Sequence, residues 1–545
     1  MASPTETEIA LEKSAAHHVE DTLGCGAIVE AKHATDEEHA QTLWQALRDN
    51  RKAVLWSAII SLSIVMEGYD VVLMGNFFGY PTFQKKYGYY YGEKLGWQIP
   101  ARWQTGLNMA STVGCIFGGI MNGYLASKFG YRVVMIVALA FLNAFLFIVF
   151  FSNTATVLLI GEVFCGFSWG VFATIGPAYA SEVCPTNLRG YLTIYVNMCW
   201  AIGQLIASGV LYGLVNRPGQ WSYRIPFALQ WIWPTPLIIV CWLAPESPWY
   251  LVRKDRLEDA KHSIRRLGGN KTEEQVNGQL AMMVHTGKIE AEIESGTSYL
   301  DCFKGIDLRR TEICCVTFVC QILSGSTFAY SPTYFFEQAG MDTSRAFQLG
   351  VGCTGVAFVG TVLSWWLITH LGRRTLYVWG LAILCTLLFL IGIINASTNA
   401  NGAMWAQAAL CFIWLFVYSL TIGPITYAIV SETSSVRLRP LTICLARTAY
   451  QIINVVSMVL EPRFMSPVAW NLKGKTGFFW GCTALLAFTW SFLRLPETKG
   501  RTYAELDILF ATKVPARKFA STEVDAYAVG VSQSQEGLVQ ETKQS

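Results

Sequence analysis

The chain has 545 residues, of which 52% are hydrophobic and only 14% are charged. A soluble domain averages about 25% charged residues, so a soluble protein of this length would lack the polar side chains that its surface needs. The net charge of +3 is too small and too dispersed to favour nucleic-acid binding, so the composition indicates a membrane protein.

Residues 1–50 are polar and contain no signal peptide, and we expect a disordered tail there. A bilayer core about 30 Å thick is crossed by roughly 20 apolar residues in a helix. Twelve segments of this kind follow, six in residues 51–244 and six in residues 311–496, and they predict an all-α polytopic membrane protein with two six-helix bundles. The segments begin near Val54, Gly106, Val133, Thr156, Tyr191, Phe227, Ile313, Ala346, Leu376, Met404, Leu441 and Gly477.

Residues 245–310 form a polar central loop, and residues 497–545 form a polar C-terminal tail. Apolar residues recur at helical spacing over residues 257–267, which predicts a short amphipathic helix on the membrane surface. The central loop is basic, and loops rich in Lys and Arg face the cytoplasm, so both termini are expected inside. The sequon at Asn395 then falls outside, where glycosylation is expected.

The two halves of the chain carry duplicated motifs, which predict a parallel repeat about an axis along the membrane normal. Two such halves can rock about a central site and so expose it to each side in turn. The repeated residues are Pro177, Tyr179, Glu182 and Arg189 against Pro424, Tyr427, Glu432 and Arg439, and Pro245-Glu246-Ser247 against Pro496-Glu497-Thr498.

With these motifs the chain resembles the sugar porters of the major facilitator superfamily. Within them it is most similar to fungal α-glucoside (maltose-type) permeases. The matching stretches include Glu67-Gly68-Tyr69-Asp70, Trp103-Gln104-Thr105-Gly106 and Ser431-Glu432-Thr433-Ser434. The resemblance implies the major facilitator fold, import of an α-glucoside such as maltose with H⁺ at the plasma membrane, and no cofactor. By topology Glu182, Arg189, Glu432 and Arg439 lie on the cytoplasmic side. With Glu246 and Glu497 they are expected to form the cytoplasmic gate rather than to touch substrate.

The chain departs from the family pattern in two places. The Asp that usually precedes each Gly-x-Arg turn is replaced by Ser127 and Thr369, which weakens the expected latch between the halves. Glu162 stands where many proton-coupled sugar porters have an Arg opposite the Asp of the first span. A simple Asp–Arg switch is therefore not expected.

Ionisable residues inside a membrane segment cost about 3 kcal/mol each on insertion scales and are kept for a reason. Glu67 and Asp70 share one face of the first span, and Glu162 reaches a similar depth on the fourth. Burial and like charge favour the protonated form of at least one carboxyl, so these residues and Arg447 are the candidates for proton coupling. In the alternative reading, the first span ends early and both of its carboxylates lie in the interface.

Uncharged amides within apolar spans are candidates for sugar binding, because they match the hydroxyl groups of a sugar. The candidates are Gln204, Gln321 and Asn454, for which hydrogen bonding between helices is the alternative role. Tyr330 and Tyr427 are the candidate aromatic contacts.

We expect a monomeric secondary active transporter that contacts membrane lipid, a small sugar and H⁺. Related cargoes, namely a hexose, a polyol or a glycosylated secondary metabolite, remain alternatives, and a non-transporting nutrient receptor is a further one. An enzyme is not expected, since no nucleophile–base pair and no phosphate loop is present. The cysteines and histidines lack metal-ligand spacing, so no metal site is expected.

Overall fold

The computed structural model describes residues 41–78, 80–90, 97–214, 217–269, 271–293, 298–329, 343–397, 401–465, 470, 472–522 and 524. Within these residues, 12 helical spans are long and apolar enough to cross a membrane, which confirms the predicted fold class. The helices of spans 1 to 12 are, in order, Arg51–Ser61 with Ser63–Phe77, Ala101–Phe129, Tyr131–Phe150, Ala155–Val183, Thr186–Leu214, Trp221–Leu229 with Pro234–Leu243, Gly305–Leu323 with Ser326–Ala329, Thr343–His370, Arg373–Ser397, Asn401–Leu420 with Ile422–Thr433, Arg439–Met465 and Thr476–Arg494.

Shorter elements lie outside the spans. The helices are α1 (Leu43–Asp49), α2 (Pro81–Tyr87), α3 (Pro248–Arg253), α4 (Leu257–Leu267), α5 (Glu273–Ile293) and α6 (Tyr503–Ala511). Strands β1 (Tyr89–Tyr90) and β2 (Trp97–Gln98) form an antiparallel hairpin, and 3-10 turns occupy Gln230–Ile232, Asp301–Phe303, Lys473–Lys475 and Ala516–Lys518. Because the number of spans is even, α1 and α3 to α6 share one face of the bundle, which we call the terminal face. Helix α2 and the hairpin lie on the opposite, far face.

Several spans are interrupted, and the sequence explains two of the interruptions. Span 10 breaks at Thr421, three residues before Pro424, because a proline lacks an N–H and clashes with the preceding helical turn. Span 7 breaks at Gly325, whose φ of 88° is a backbone conformation that favours glycine. These breaks place polar backbone within the membrane-spanning region of the second half.

Spans 2 and 4 pack with their backbones in contact. A Cβ on Gly114 or Gly118 of span 2 would collide with backbone atoms of span 4, and one on Gly166 or Gly170 of span 4 would collide with backbone atoms of span 2. Small residues four apart on each helix permit this approach. The sequence supplies both pairs, so this contact is fixed by residue size.

We expect Gly118→Ala to destabilise the protein by about 1–3 kcal/mol, because the added methyl group collides with the Phe167 carbonyl oxygen. Gly209→Ala is the matched control, since a Cβ there meets no atom within 4 Å. The measurement is the thermal midpoint of each purified variant. Equal midpoints would contradict the packing described here.

The two halves meet through span 2 against span 11, and through span 5 against spans 8 and 10. On the terminal face, α4 buries Ala260, Ile264 and Leu267. Helix α6 lies in the segment expected to be a polar tail. It begins with a capping box between Thr502 and Glu505 and buries its apolar side chains against the bundle.

Candidate functional site

One buried acidic group is a pair of carboxyls in the first half. Asp70 on span 1 and Glu162 on span 4 are neighbours, and each is 1% exposed. Gln230 of span 6 donates Nε2 to Asp70 Oδ1 at 2.8 Å, while no donor among the described residues reaches either oxygen of Glu162. Two carboxyls that lie this close repel each other when both are ionised.

A second buried group joins the two halves. Arg447 of span 11 donates Nη2 to Glu67 Oε1 of span 1 at 2.6 Å, and both side chains are about 5% exposed. The guanidinium carbon of Arg447 also lies 4.5 Å from the centre of the Tyr450 ring. A buried charge without a partner is costly, so the Glu67 carboxylate and the Arg447 guanidinium stabilise each other here.

The expected set of three carboxylates therefore divides into two groups. Glu67 faces the second half, whereas Asp70, one turn further along span 1, faces Glu162 within the first half. The helix of span 1 continues to Phe77, so the two acidic residues do not lie at its end. Arg447 pairs with Glu67 rather than extending to the membrane surface.

Gln230 was missed in the sequence analysis. It is the only Asn or Gln among residues 221–243, and it is 2% exposed. A lone amide in an apolar span must find a partner, and that rule would have identified it. Its partner, Asp70, was not evident, because the pairing of spans 1 and 6 is a tertiary contact.

The candidate sugar-binding residues lie on different helices. Gln204 is 3% exposed on span 5, and Asn454 is partly buried on span 11. Gln321 donates Nε2 to the Gly423 carbonyl oxygen at 2.9 Å, so this nitrogen holds span 7 to the break in span 10. Tyr427 is buried with its ring edge-on to Phe318 at 5.3 Å. Tyr330 lies outside the described residues.

The duplicated motifs meet on the terminal face. Glu182 of span 4 accepts hydrogen bonds from the Tyr131 hydroxyl at 2.9 Å, from the Ser247 hydroxyl and from Arg253 at 3.1 Å. Glu246 accepts the backbone N–H groups of Tyr131 and Arg132, each at 3.1 Å. Burial raises the pKa of Glu246, and these N–H groups offset part of the rise.

The second half repeats this arrangement. Glu432 of span 10 accepts from Arg373 at 3.2 Å and from the Thr498 hydroxyl at 2.6 Å. Glu497 accepts the backbone N–H groups of Arg373 and Arg374 at 2.8 and 3.2 Å. In the first half Tyr131 occupies the place of Arg373, so the charge opposite Glu182 comes from Arg253 instead.

Several contacts on the terminal face tie the halves together. Arg439 Nη1 of the second half lies 3.7 Å from Glu182 Oε1 of the first half, and Arg253 donates to the Val436 carbonyl oxygen at 2.9 Å. Tyr503 of α6 donates its hydroxyl to the Ser181 carbonyl oxygen at 3.1 Å. Its ring lies 3.6 Å from the guanidinium carbon of Arg189 and 3.9 Å from that of Arg439. The terminal face is therefore closed.

Ser127 and Thr369 stand where the family pattern has Asp, and their side chains bond to uncharged groups. Ser127 donates only to the Tyr124 carbonyl oxygen of its own helix, at 2.9 Å. Thr369 accepts the Tyr191 hydroxyl at 2.9 Å, which is a neutral bond between spans 8 and 5. Neither position supplies a charge to the network.

We expect Tyr503→Ala to loosen the terminal face, because two cation–π contacts together stabilise it by about 1–4 kcal/mol. Tyr503→Phe keeps both contacts and loses one hydrogen bond, worth about 1 kcal/mol. The measurement is hydrogen exchange of backbone amides in residues 178–190 of the purified protein. If these amides exchange as slowly in Tyr503→Ala as in the wild type, the Tyr503 ring has no role in closing the terminal face.

Asn395 lies near the far-face end of span 9, partly buried, with its amide nitrogen 3.5 Å from Gln407 Oε1. Among the residues that the structure describes, no cluster of His, Cys, Asp and Glu has the arrangement of a metal site. The candidate functional groups are thus the Asp70–Glu162 carboxyl pair, the Glu67–Arg447 ion pair and the network on the terminal face.

Comparison with known proteins places this architecture in a family. Residues 56–510 match the model of the "Sugar (and other) transporter" family. The chain is 40% identical over 526 residues to maltose permease MAL31 of Saccharomyces cerevisiae, a match that covers 95% of this chain and 85% of that protein. It is also 40% identical over 515 residues to a general alpha-glucoside permease of the same species, covering 92% and 82%.

Solved structures show the same fold. The xylose symporter XylE bound to 6-bromo-6-deoxy-D-glucose, a major facilitator superfamily protein, matches with a TM-score of 0.74 at 19% identity, covering 85% of this chain and 100% of that one. An inward-open structure of XylE from E. coli matches with a TM-score of 0.60 at 20% identity, covering 83% and 98%. The chain therefore has the major facilitator fold, is a transporter rather than an enzyme, and belongs to the sugar transporter family.

Proposed function

We propose that the protein imports an α-glucoside such as maltose by proton symport, and that the Asp70–Glu162 pair carries the proton. The observation on which this rests most is the contact between two buried carboxyls that have no cation beside them among the described residues. Such a pair holds one proton readily and a second negative charge only with difficulty. The relatives named maltose permease and general alpha-glucoside permease support the choice of cargo.

Proton binding and alternating access are linked through span 1. Asp70 and Glu67 lie one turn apart on this helix, and Glu67 is bonded to Arg447 of the other half. When the carboxyl pair loses its proton, repulsion between Asp70 and Glu162 favours a shift of span 1 against span 4. Such a shift also strains the Glu67–Arg447 bond, so the charge state of one site biases the position of the two halves.

We further propose that the terminal face is cytoplasmic and the far face external, at the plasma membrane. The Lys and Arg bias of the loops supports this orientation. Glu182, Arg189, Glu246, Glu432, Arg439 and Glu497 then form the cytoplasmic gate, which is closed here. Asn395 is then external and available for glycosylation. Each chain has both halves and its own gate contacts, which supports a working monomer within the lipid.

The sugar is proposed to bind between the halves, near Gln204 of span 5 and Asn454 of span 11. Gln321 and Tyr427 contribute from spans 7 and 10, and Tyr330 from the segment between spans 7 and 8. Amide groups satisfy the hydroxyls of a sugar, and aromatic rings cover its apolar faces. For Gln321 Nε2 to reach the substrate, its hydrogen bond to the Gly423 carbonyl oxygen would have to break.

The test is uptake of radiolabelled maltose by yeast lacking its own glucoside permeases, with external pH recorded and surface expression confirmed. We expect accumulation above the external concentration together with alkalinisation of the medium. Uptake without alkalinisation would rule out proton symport. No uptake from a surface-localised protein would rule out maltose, and a panel of hexoses, polyols and glycosides would then distinguish another cargo from a non-transporting receptor.

A further inference from the structure

Span 6 is interrupted in its middle, and Gln230 stands at the interruption. The helix Trp221–Leu229 is followed by the 3-10 turn Gln230–Ile232 and then by the helix Pro234–Leu243. Pro234 has no N–H group with which to bond the carbonyl oxygen of Gln230, four residues earlier, so the α-helical ladder stops here. A short 3-10 stretch inside a helix often marks a functional position.

The interruption gives span 1 two hydrogen-bond partners on span 6. The backbone N–H of Gln230 bonds to the Phe227 carbonyl oxygen, three residues back, and not to that of Pro226. The Pro226 carbonyl oxygen accepts the Tyr69 hydroxyl of span 1 at 2.9 Å. On the next residue of span 1, Asp70 Oδ1 accepts Gln230 Nε2 at 2.8 Å. Two neighbouring hydrogen bonds therefore dock the acidic turn of span 1 on the break in span 6.

This docking distinguishes Asp70 from Glu162. Asp70 receives an amide donor, whereas no donor among the described residues reaches Glu162. A hydrogen bond donated to a carboxylate favours its charged form. The amide of Gln230 does not titrate, and its NH₂ group remains a donor whether or not the acid holds a proton. The contact can therefore persist while Asp70 gains and loses a proton.

No positive charge contributes to this effect among the described groups that interact with Asp70. The titratable groups that do so are Tyr69 of span 1, Cys115 of span 2, and Glu162 and Cys165 of span 4. Each of them is neutral or negative. Arg447 of span 11 donates to Glu67 at 2.6 Å. In the part of the chain that the structure describes, the stabilising donor to Asp70 is thus the amide of Gln230.

We propose that Gln230 is a positioning residue for the proton of the Asp70–Glu162 pair. It fixes the Asp70 carboxyl against the break in span 6 and stabilises its charged form. In this way it sets the pH range over which the pair binds its proton. The role in transport rests on the proton symport proposed above, whereas the titration of the pair can be measured without transport.

The first test is infrared difference spectroscopy of the purified full-length protein during a pH titration. A protonated carboxyl gives a C=O stretching band, and the band of the pair is the one that Asp70→Asn and Glu162→Gln change. We expect Gln230→Met to move the midpoint of this band to higher pH by about one unit or more, because a hydrogen bond to a charged group changes proton affinity about 10- to 100-fold. Gln230→Glu, which keeps the size of the side chain, should move it in the same direction.

Tyr69→Phe is the matched control. It removes the neighbouring hydrogen bond between the same two spans and leaves Asp70 with its donor, so its midpoint should equal that of the wild type. If Gln230→Met does not fold, Gln230→Glu decides. An unchanged midpoint in the folded Gln230 variant, or an equal shift in Tyr69→Phe, would overturn the proposal. So would a wild type without a band that responds to Asp70→Asn and Glu162→Gln, because Gln230 would then have no titration to set.

The second test is the dependence of maltose accumulation on external pH in the yeast strain described above. Gln230→Met should continue to accumulate sugar at a more alkaline pH than the wild type does. Accumulation that falls by the same factor at every pH would show a merely structural role and overturn the proposal. Absence of transport by the wild type would contradict the proposed symport, while a shifted infrared midpoint would still support the role of Gln230 in the titration.

Discussion

Replacing Asp70 with Asn is expected to reduce sugar accumulation to the external concentration and to abolish alkalinisation of the medium. An amide cannot release a proton, although its oxygen can still accept the hydrogen bond from Gln230 that Asp70 accepts at 2.8 Å. Exchange of labelled for unlabelled sugar across the membrane should persist, because exchange needs no net proton movement. The measurement is accumulation and counterflow in the same yeast strain.

Glu461→Gln is the matched control for this experiment. Glu461 is also a buried carboxylate, 6% exposed on span 11, and it accepts a hydrogen bond from Trp480 Nε1 at 2.8 Å. It lies outside the Asp70–Glu162 pair, so its amide variant should still accumulate sugar. If Asp70→Asn accumulates sugar with undiminished alkalinisation, the proton is carried elsewhere.

Replacing Arg447 with Met is expected to destabilise the protein by about 3–5 kcal/mol, which is the usual cost of removing one partner from a buried ion pair. Glu67 would be left without its cation at a position that is 4% exposed. The consequence should be a lower thermal midpoint and a smaller yield of folded protein. The measurement is thermal unfolding of the purified variant.

The double variant Glu67→Gln with Arg447→Met tests whether this cost comes from the unpaired charge. With both charges removed, most of the lost stability should return, because no carboxylate remains buried without a partner. A double variant as unstable as Arg447→Met alone would show that the arginine acts through packing on Tyr450 and not through Glu67. Stability is the readout, so the result does not depend on transport.

The order of the spans and the repeat are local properties of the chain, and the sequence therefore predicts them. Hydrophobic length alone marks the 12 spans, since a bilayer selects for it. The Glu182 and Glu432 motifs recur with the same neighbours, which reveals the duplication and the family. The break at Thr421 also follows from a local cause, namely Pro424.

The partners of the charged residues were decided only by the tertiary structure. Helical periodicity places Glu67 and Asp70 on one side of span 1, but they are turned toward different helices, Arg447 of span 11 and Glu162 of span 4. Neither that division nor the role of Gln230 follows from spacing, because both depend on which spans pack together. Likewise, α6 and Tyr503 lie in a segment that composition assigns to a polar tail. Nine residues give too short a pattern to recognise, and the arginines that enclose the Tyr503 ring come from both halves of the chain.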